Sequence, residues 1–310
     1  MLEFPRIRQE LTLENEYMTL TPLLLHGAEK AEGRAMKAEW RIPSLKGELR
    51  YWYRALHAPM FKRTTELAAA EGKLLGTAGG GDNDAQKSSV VLSDGLKKLR
   101  PEDGKKGPYI ELYPPKQQAS FGFEPKKVFS VQFGYQDDET RFLFEPLLRW
   151  FELVGALGQR SRRGNGAFQA ATDTFESVDE YLEQIETALR KMEIRYERHG
   201  QTIQTKERGS LENSVPTWKQ TTVGRLFKSE VEARKFIIEN AYQGYMHDGK
   251  KEVSGGIRPR FASPYHFTVR RIGQQFAVIL TEVSYTLSKD TRTFDAVKKD
   301  VYRFLEGGKS

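Results

Sequence analysis

Phe129-Ser130-Val131-Gln132-Phe133-Gly134-Tyr135 alternates large apolar residues with small or polar ones, the period of two of a strand with one face on a core. A helical pattern follows it. Pro146 suits a first turn, Leu147, Leu148, Phe151 and Val154 line one face, and Gly155 and Gly158 close the helix before Phe168 leads into the second half. Working back toward the N-terminus, Leu45, Leu49, Trp52 and Leu56 recur at spacings of four, three and four, which predicts a helix from about Leu45 to Leu56 with Ser44 as its N-cap. Before it, Tyr17 to Leu25 reads as a strand ending around Pro22, and the Gly-, Glu- and Lys-rich stretch from His26 to Lys37 as a long loop. Residues 71–107 are rich in Gly, Lys, Asp and Ser, with Gly79-Gly80-Gly81 in their middle and only short apolar runs such as Val90-Val91-Leu92. They read as a long insertion.

Two capping boxes organise the second half. Ser177-x-x-Glu180 precedes Val178, Leu182, Ile185, Leu189 and Met192, and Ser229-x-x-Glu232 precedes a helical run to about Tyr242. Tyr265 to Ile272 and Gln275 to Val283 are β-rich and separated by Gly273-Gln274, which predicts a hairpin, and Phe294 to Leu305 reads as a terminal helix. The first half suggests the order strand, helix, strand, strand, helix, strand, with the second half a decayed repeat of it. The fold class expected is therefore α+β: two tandem ferredoxin-like (RRM-like) domains with antiparallel sheets and a glycine-rich loop. Residues 1–170 form the first, holding the insertion at 71–107 and the loop at 155–166, and residues 171–310 the second.

A chain of 310 residues that is 38% hydrophobic can build two packed cores. Its first residues lack the apolar core of a signal peptide, and no stretch approaches the ~18 uninterrupted apolar residues of a membrane span, so a cytoplasmic protein is expected. With no cysteine, disulfides, thiolate zinc sites, iron–sulfur clusters and a cysteine nucleophile are excluded together. Lys and Arg total 49 against 42 Asp and Glu, a formal charge of +7, which favours a polyanionic partner only where the positive charge is clustered.

It clusters at three places. The sharpest is Gly155-Ala156-Leu157-Gly158-Gln159-Arg160-Ser161-Arg162-Arg163-Gly164-Asn165-Gly166, with four glycines and no acid. Bare backbone amides and guanidinium groups on a flexible turn suit a sugar–phosphate backbone. A Walker loop needs Gly-x4-Gly-Lys-Ser/Thr, and a dinucleotide fingerprint opens a helix where this loop closes one, so neither an NTPase nor a dehydrogenase fits. The second place is Lys46, Arg50 and Arg54, a basic stripe spaced by four on the side of the first helix away from its apolar face, with Tyr51 and Tyr53 beside it as stacking or core residues. The third is Arg258, Arg260, Arg270 and Arg271. Alternation sends Arg270 and Arg271 to opposite sheet faces, so at most one of them joins Arg258 and Arg260.

Catalytic groupings are hard to assemble. His26, His57, His199, His247 and His266 are scattered, with no HExxH pattern, and Asp82-Asn83-Asp84 lacks the glycine and glutamate of a calcium loop. No cofactor or metal is expected. A metal-independent ribonuclease using a histidine is the competing reading, with His26, in the loop after the first strand, the best placed.

Four segments carry a family resemblance: Leu20-Thr-Pro-Leu-Leu-Leu-His-Gly-Ala28, Ile42-Pro-Ser-Leu-Lys-Gly-Glu-Leu-Arg-Tyr-Trp-Tyr-Arg-Ala-Leu56, Gly155 to Phe168, and Arg260-Phe-Ala-Ser-Pro-Tyr-His-Phe267. In their order and spacing the chain resembles the RAMP superfamily of CRISPR proteins, and within it the first-subunit family of type III-B (Cmr) effector complexes. The resemblance implies tandem ferredoxin-like domains, assembly with guide RNA, target RNA and sister Cmr subunits, a place near the guide's 3′ end, a part in antiviral defence, and no catalysis. By motif position, Lys46, Arg50, Arg54, Arg160, Arg162, Arg163, Gly164 and Gly166 inherit the RNA-facing role. His26 stands where a glycine is common, and Ala156 interrupts the usual double glycine. The alternative within the superfamily is an endoribonuclease processing guide precursors, with His26 or His57 as acid or base.

Overall fold

The computed structural model describes residues 11–30, 36–77, 85–106, 121–209, 211, 214–242, 256–257, 260–284 and 291–306. The alternating stretch Phe129–Tyr135 lies in an eight-residue strand at the centre of the first sheet, and the elements around it fall in place by what they bury. In chain order the strands of the first half are β1 (Thr12–Thr19), β2 (His26–Lys30), β3 (Met36–Ala38), β4 (Val90–Asp94), β5 (Lys105–Lys106), β6 (Phe121–Gly122), β7 (Val128–Tyr135) and β8 (Phe168–Ala170). Its helices are α1 (Ile42–His57), α2 (Thr64–Leu75) and α3 (Asp138–Val154). The main sheet runs β4-β7-β1-β8, antiparallel throughout, so α1 and α3 each connect strands that are not neighbours.

Several expectations needed correction. The first strand ends at Thr19 rather than running from Tyr17 to Leu25. Leu20, Leu23, Leu24 and Leu25 are still buried, but beyond Thr19 the backbone pairs with other segments: Leu20 N–H with Ala167 O at 2.8 Å and Leu23 with Phe123 in both directions at 2.9 Å. Apolarity reported burial, not membership of a ladder. The stretch His26–Lys37 is not simply a loop, since β2 pairs with β3. Within the stretch 71–107, Glu71–Leu75 completes α2 and Val90–Asp94 forms the outer strand of the main sheet, so these parts belong to the fold itself. An outer strand with polar Ser93 and Asp94 toward solvent looks like a loop by composition. Gly79-Gly80-Gly81 and Asp82-Asn83-Asp84 lie outside the described residues.

Helix boundaries moved as well. α1 begins at Ile42 with Pro43 in its first turn, so Ser44, whose N–H already bonds Arg41 O at 3.0 Å, is inside the helix rather than capping it. Its buried face is Leu45, Leu49, Trp52 and Leu56 as the spacing required. α3 begins at Asp138, capped by Asp137 accepting from Thr140 N–H at 2.7 Å. Pro146 therefore sits mid-helix; the carbonyl its ring displaces belongs to Phe142, an exposed residue.

The second half contributes α4 (Val178–Lys191), β9 (Tyr196–His199), β10 (Thr202–Thr205), β11 (Trp218–Phe227), α5 (Glu230–Phe236, continued by a π-helical segment Ile237–Tyr242), the short pair β12 (Gly256–Ile257) and β13 (Arg260–Phe261), β14 (Tyr265–Ile272), β15 (Gln275–Val283) and α6 (Thr291–Leu305). Both serine caps form, Ser177 accepting from Glu180 N–H at 3.1 Å and Ser229 from Glu232 N–H at 3.2 Å. The glutamates close back one residue earlier than a full capping box, Glu180 on Glu176 N–H at 2.7 Å and Glu232 on Lys228 N–H at 3.1 Å. The predicted hairpin is β14–β15, turning through Gly273 at φ +56°.

The second sheet runs β14-β15-β11-β10-β9. Its β14-β15-β11 part repeats the β4-β7-β1 part of the first, with α5 and α6 in the sequence positions of α1 and α3. Beside β11, the place that β8 takes beside β1 is filled by β10, which comes earlier in the chain. β15 is buried on both faces: Ala277, Ile279 and Val283 join the core that holds α1, α3 and α4, while Val278 and Leu280 pack with Phe236, Ile237, Val301 and Leu305. Trp150 of α3 meets Trp218 of β11 edge to face at 5.0 Å. The protein is thus a mixed α and β fold with antiparallel sheets whose halves share one core.

Candidate nucleic-acid interface

The glycine-rich loop leaves α3 at Gly155, whose N–H bonds Phe151 O at 2.7 Å, and returns at β8. Contrary to the expectation of a flexible turn, its backbone is fastened on two sides. Gln159 N–H bonds Leu24 O at 2.8 Å and Gly166 N–H bonds Pro22 O at 2.8 Å, which employs the carbonyls freed where β1 stops. On the other side Gly164 N–H bonds Phe267 O at 3.0 Å and Phe267 N–H bonds Arg162 O at 3.2 Å, so the loop covers the outer edge of β14. Two glycines are required by this route. Gly158 (φ +82°) would place a Cβ 2.4 Å from Leu24 O, and Gly166 (φ +67°) one at 1.8 Å from Leu157 O. Gly164, Asn165 and Gly166 are buried, so they hold the loop rather than offer a surface; Gln159 is exposed and Arg160 to Arg163 are half-buried. Arg160 itself takes φ +60°, uncommon for a side chain of its size.

Arg162 joins the halves. Its guanidinium lies 5.2 Å over the Tyr51 ring of α1 and donates to Ser263 O ahead of β14. The Tyr51 hydroxyl is 3.0 Å from His266 Nε2, and the His266 ring packs 5.1 Å from Trp52. Burial holds His266 well below the usual imidazole range, and the nearby Arg162 charge pushes the same way. Across the cluster, burial pushes the Glu48 carboxyl up to about 7 although the Arg162 charge opposes it. Glu48, Ser263 and His266 were not picked as site residues by sequence reasoning. All three lie within the quoted motifs, but a motif does not say that they meet.

The basic stripe on α1 is not the open row that its spacing suggested. Arg50 donates to Glu71 Oε1 at 2.7 Å, to Leu75 O at 2.8 Å and to Gly76 O, satisfying carbonyls at the C-terminus of α2. Arg54 also meets Glu71, at 3.5 Å, and Lys46 donates to Ser88 Oγ at 3.1 Å. Of the third group, Arg258 lies outside the described residues, and Arg260 is described only as backbone in β13. Arg270 and Arg271 do point oppositely. Arg270 is fully buried and donates to Glu152 O at 3.0 Å and Gly155 O at 2.6 Å, closing the end of α3, whereas Arg271 is exposed.

The histidines proposed for acid–base work are engaged. His26 Nε2 lies 2.6 Å from Phe121 O; His57 Nδ1 lies 2.9 Å from Tyr53 O, with its ring stacked on Tyr53 at 4.3 Å and its basicity lowered by burial. His199 is exposed beside Glu197, and His247 lies outside the described residues. Among the described residues no three His, Asp or Glu side chains gather as a metal would need, and no helix is long and apolar enough to cross a membrane.

Comparison with known proteins agrees with this architecture. The RAMP superfamily model matches residues 16–169, from within β1 to within β8. Cmr1 from Pyrococcus furiosus in its apo form is similar over 95% of this chain and 97% of its own, at 19% identity and a TM-score of 0.60. A chain of the type III-B Cmr-beta complex bound to cognate target RNA is similar over 95% of this chain and 99% of its own, at 10% identity and a TM-score of 0.53. At such identities the likeness is one of fold. No curated protein sequence matches the chain.

Proposed function

We propose, on the premise that over residues 16–169 the chain belongs to the RAMP superfamily, that the protein is a non-catalytic RNA-binding subunit of a type III-B CRISPR ribonucleoprotein. It sits near the 3′ end of the guide and helps engage target RNA, alongside sister Cmr subunits, in the cytoplasm. The observation that carries this is the fastened loop: backbone bonds to Pro22, Leu24 and Phe267 hold Gln159 to Arg163 as a rigid basic tip where the two halves meet. A preorganised arginine tip binds a phosphate backbone without first paying to order a loop. The solved relatives bear on the partner, since the Cmr-beta structure holds cognate target RNA.

The strand orders β4-β7-β1-β8 and β14-β15-β11-β10 support the further reading of two tandem ferredoxin-like domains, residues 1–170 and 171–310, the second with its fourth strand supplied from upstream. Within the basic set the roles divide. Arg160 and Arg163 carry phosphate contact with Gln159 and Ser161 beside them, and Lys46 and Arg54 extend the surface along α1. Arg50 and Arg162 position α2 and Tyr51, respectively, and Arg258 and Arg260 belong to the second half's share.

Titrating fluorescent single-stranded RNA with the full chain at several salt concentrations tests this. Arg160→Ala with Arg163→Ala removes two phosphate contacts and lowers the slope of log affinity against log salt by roughly 1.4 units. An unchanged slope and affinity would sink the loop assignment. The nuclease alternative is disfavoured because His26 and His57 spend a ring nitrogen each on a backbone carbonyl. Labelled repeat RNA left intact in EDTA agrees with the favoured reading; specific cleavage lost in His26→Ala overturns it.

A further inference from the structure

Where the outer strand β8 and the segment after it meet the β14–β15 turn lies a partly open cavity of about 230 Å³, with Met18, Leu20 and Phe175 among its walls and the exposed Glu176, Arg271 and Gln274 lining it toward solvent. Its frame is built. Gln169, almost fully buried, accepts from Arg271 N–H at 3.0 Å and donates to Arg271 O at 3.3 Å and Asp173 O at 3.0 Å, so one side-chain amide stitches β8 to β14. The turn is pinned from below by Gly273 N–H on Phe175 O at 2.6 Å.

The rim charges are uncommitted by comparison. The exposed Arg271 guanidinium makes two long bonds inside its own turn, to Gly273 O at 3.3 Å and Gln274 Oε1 at 3.4 Å, and no ion pair among the described residues. Glu176 is exposed too, and the bond at that residue uses its backbone N–H, given to Glu180 at 2.7 Å. Asp173, by contrast, is withdrawn into a 2.8 Å pair with Arg149. A slot of mixed polar and apolar lining therefore carries a guanidinium and a carboxylate at its mouth.

We propose that this cavity takes an unstacked guanine base, with Arg271 donating to its O6 and N7 and Glu176 accepting from its N1–H and N2–H. Met18, Leu20 and Phe175 give the slot an apolar side against which a heterocycle taken out of its stack can lie. Among the four RNA bases guanine alone offers both a two-acceptor edge and a two-donor edge, and arginine on O6 and N7 is the strongest match for the first. The base belongs to a single-stranded RNA held by the loop, a part of the inference that rests on the function proposed above. A free guanine nucleotide has the same recognition chemistry.

Two measurements on the full chain separate these sources. Saturation-transfer NMR with GMP and with UMP probes the cavity without a strand. Anisotropy titration of oligouridine with and without one central guanosine probes it within one. The proposal expects a GMP signal absent for UMP and lost in Arg271→Ala. It also expects tighter binding of the guanosine-containing strand, a preference reduced about tenfold by Arg271→Ala and by Glu176→Gln at unchanged salt slope. A GMP signal with no strand binding keeps the cavity as a free-nucleotide site and overturns the loop reading. Strand binding that ignores guanosine, with no GMP signal, overturns the cavity and leaves the loop reading standing. Silence in both overturns both.

Discussion

Glu48 shows how one residue's environment sets a measurable behaviour. Because burial raises its folded pKa to about 7 from 4.5, the folded state holds a proton that the unfolded state gives up between those values. The sign follows: stability is highest near and below the unfolded value and declines as pH rises toward about 7, then stays level. Glu48→Gln removes the ionisable group, so thermal melts should show little change at pH 5 and a raised Tm at pH 8, each kcal/mol relieved being worth about 2–4 °C in a chain of this size. A variant equally destabilised at both pH values would mean that the carboxylate's attraction to Arg162 outweighs its burial. His266 works at the other end, since a buried neutral imidazole costs stability as pH falls below its unfolded value of about 6.5.

Arg50 decides how an element is held. α2 ends on it, with two carbonyls and the buried Glu71 carboxylate satisfied by one guanidinium. Arg50→Ala leaves that carboxylate with Arg54 at 3.5 Å as its remaining cation. Losing one partner of a fully buried pair costs about 3–5 kcal/mol; with Arg50 29% exposed, about 2 kcal/mol is expected in denaturant titration. Glu71→Gln added to Arg50→Ala should recover part of that loss, whereas additive losses would show that the carboxylate is not what Arg50 neutralises. α2 also explains why the basic stripe misled. Spacing by four defines a helix face, but which element lies on that face depends on Glu71, twenty-one residues on in sequence and in contact only after folding.

Trp218 tests whether the whole molecule behaves as one body. Fully buried against Trp150 of the first half, it lies in the core that both halves share. Trp218→Ala is expected to cost about 3–5 kcal/mol and to lower a single unfolding transition, followed alike by tryptophan fluorescence and far-UV dichroism. Two separated transitions would show instead that the halves unfold independently.

The order of elements was legible from the chain because periodicity and capping are local. Phe129–Tyr135, the Leu45–Leu56 face, Ser177, Ser229 and the hairpin at Gly273 each needed only neighbours within a few residues. The α1 and loop motifs were likewise visible as candidate sites. What the tertiary structure alone decided is which groups meet. It made Val90–Asp94 a sheet strand, closed the end of α3 with Arg270, turned Arg50 and Arg162 inward, and fastened the loop with carbonyls released where β1 stops at Thr19. Hydrogen-bond satisfaction of buried groups is a long-range constraint. Its solution depends on partners a hundred or more residues apart, such as Arg162 with Ser263 and Gln169 with Arg271, and no local pattern encodes that.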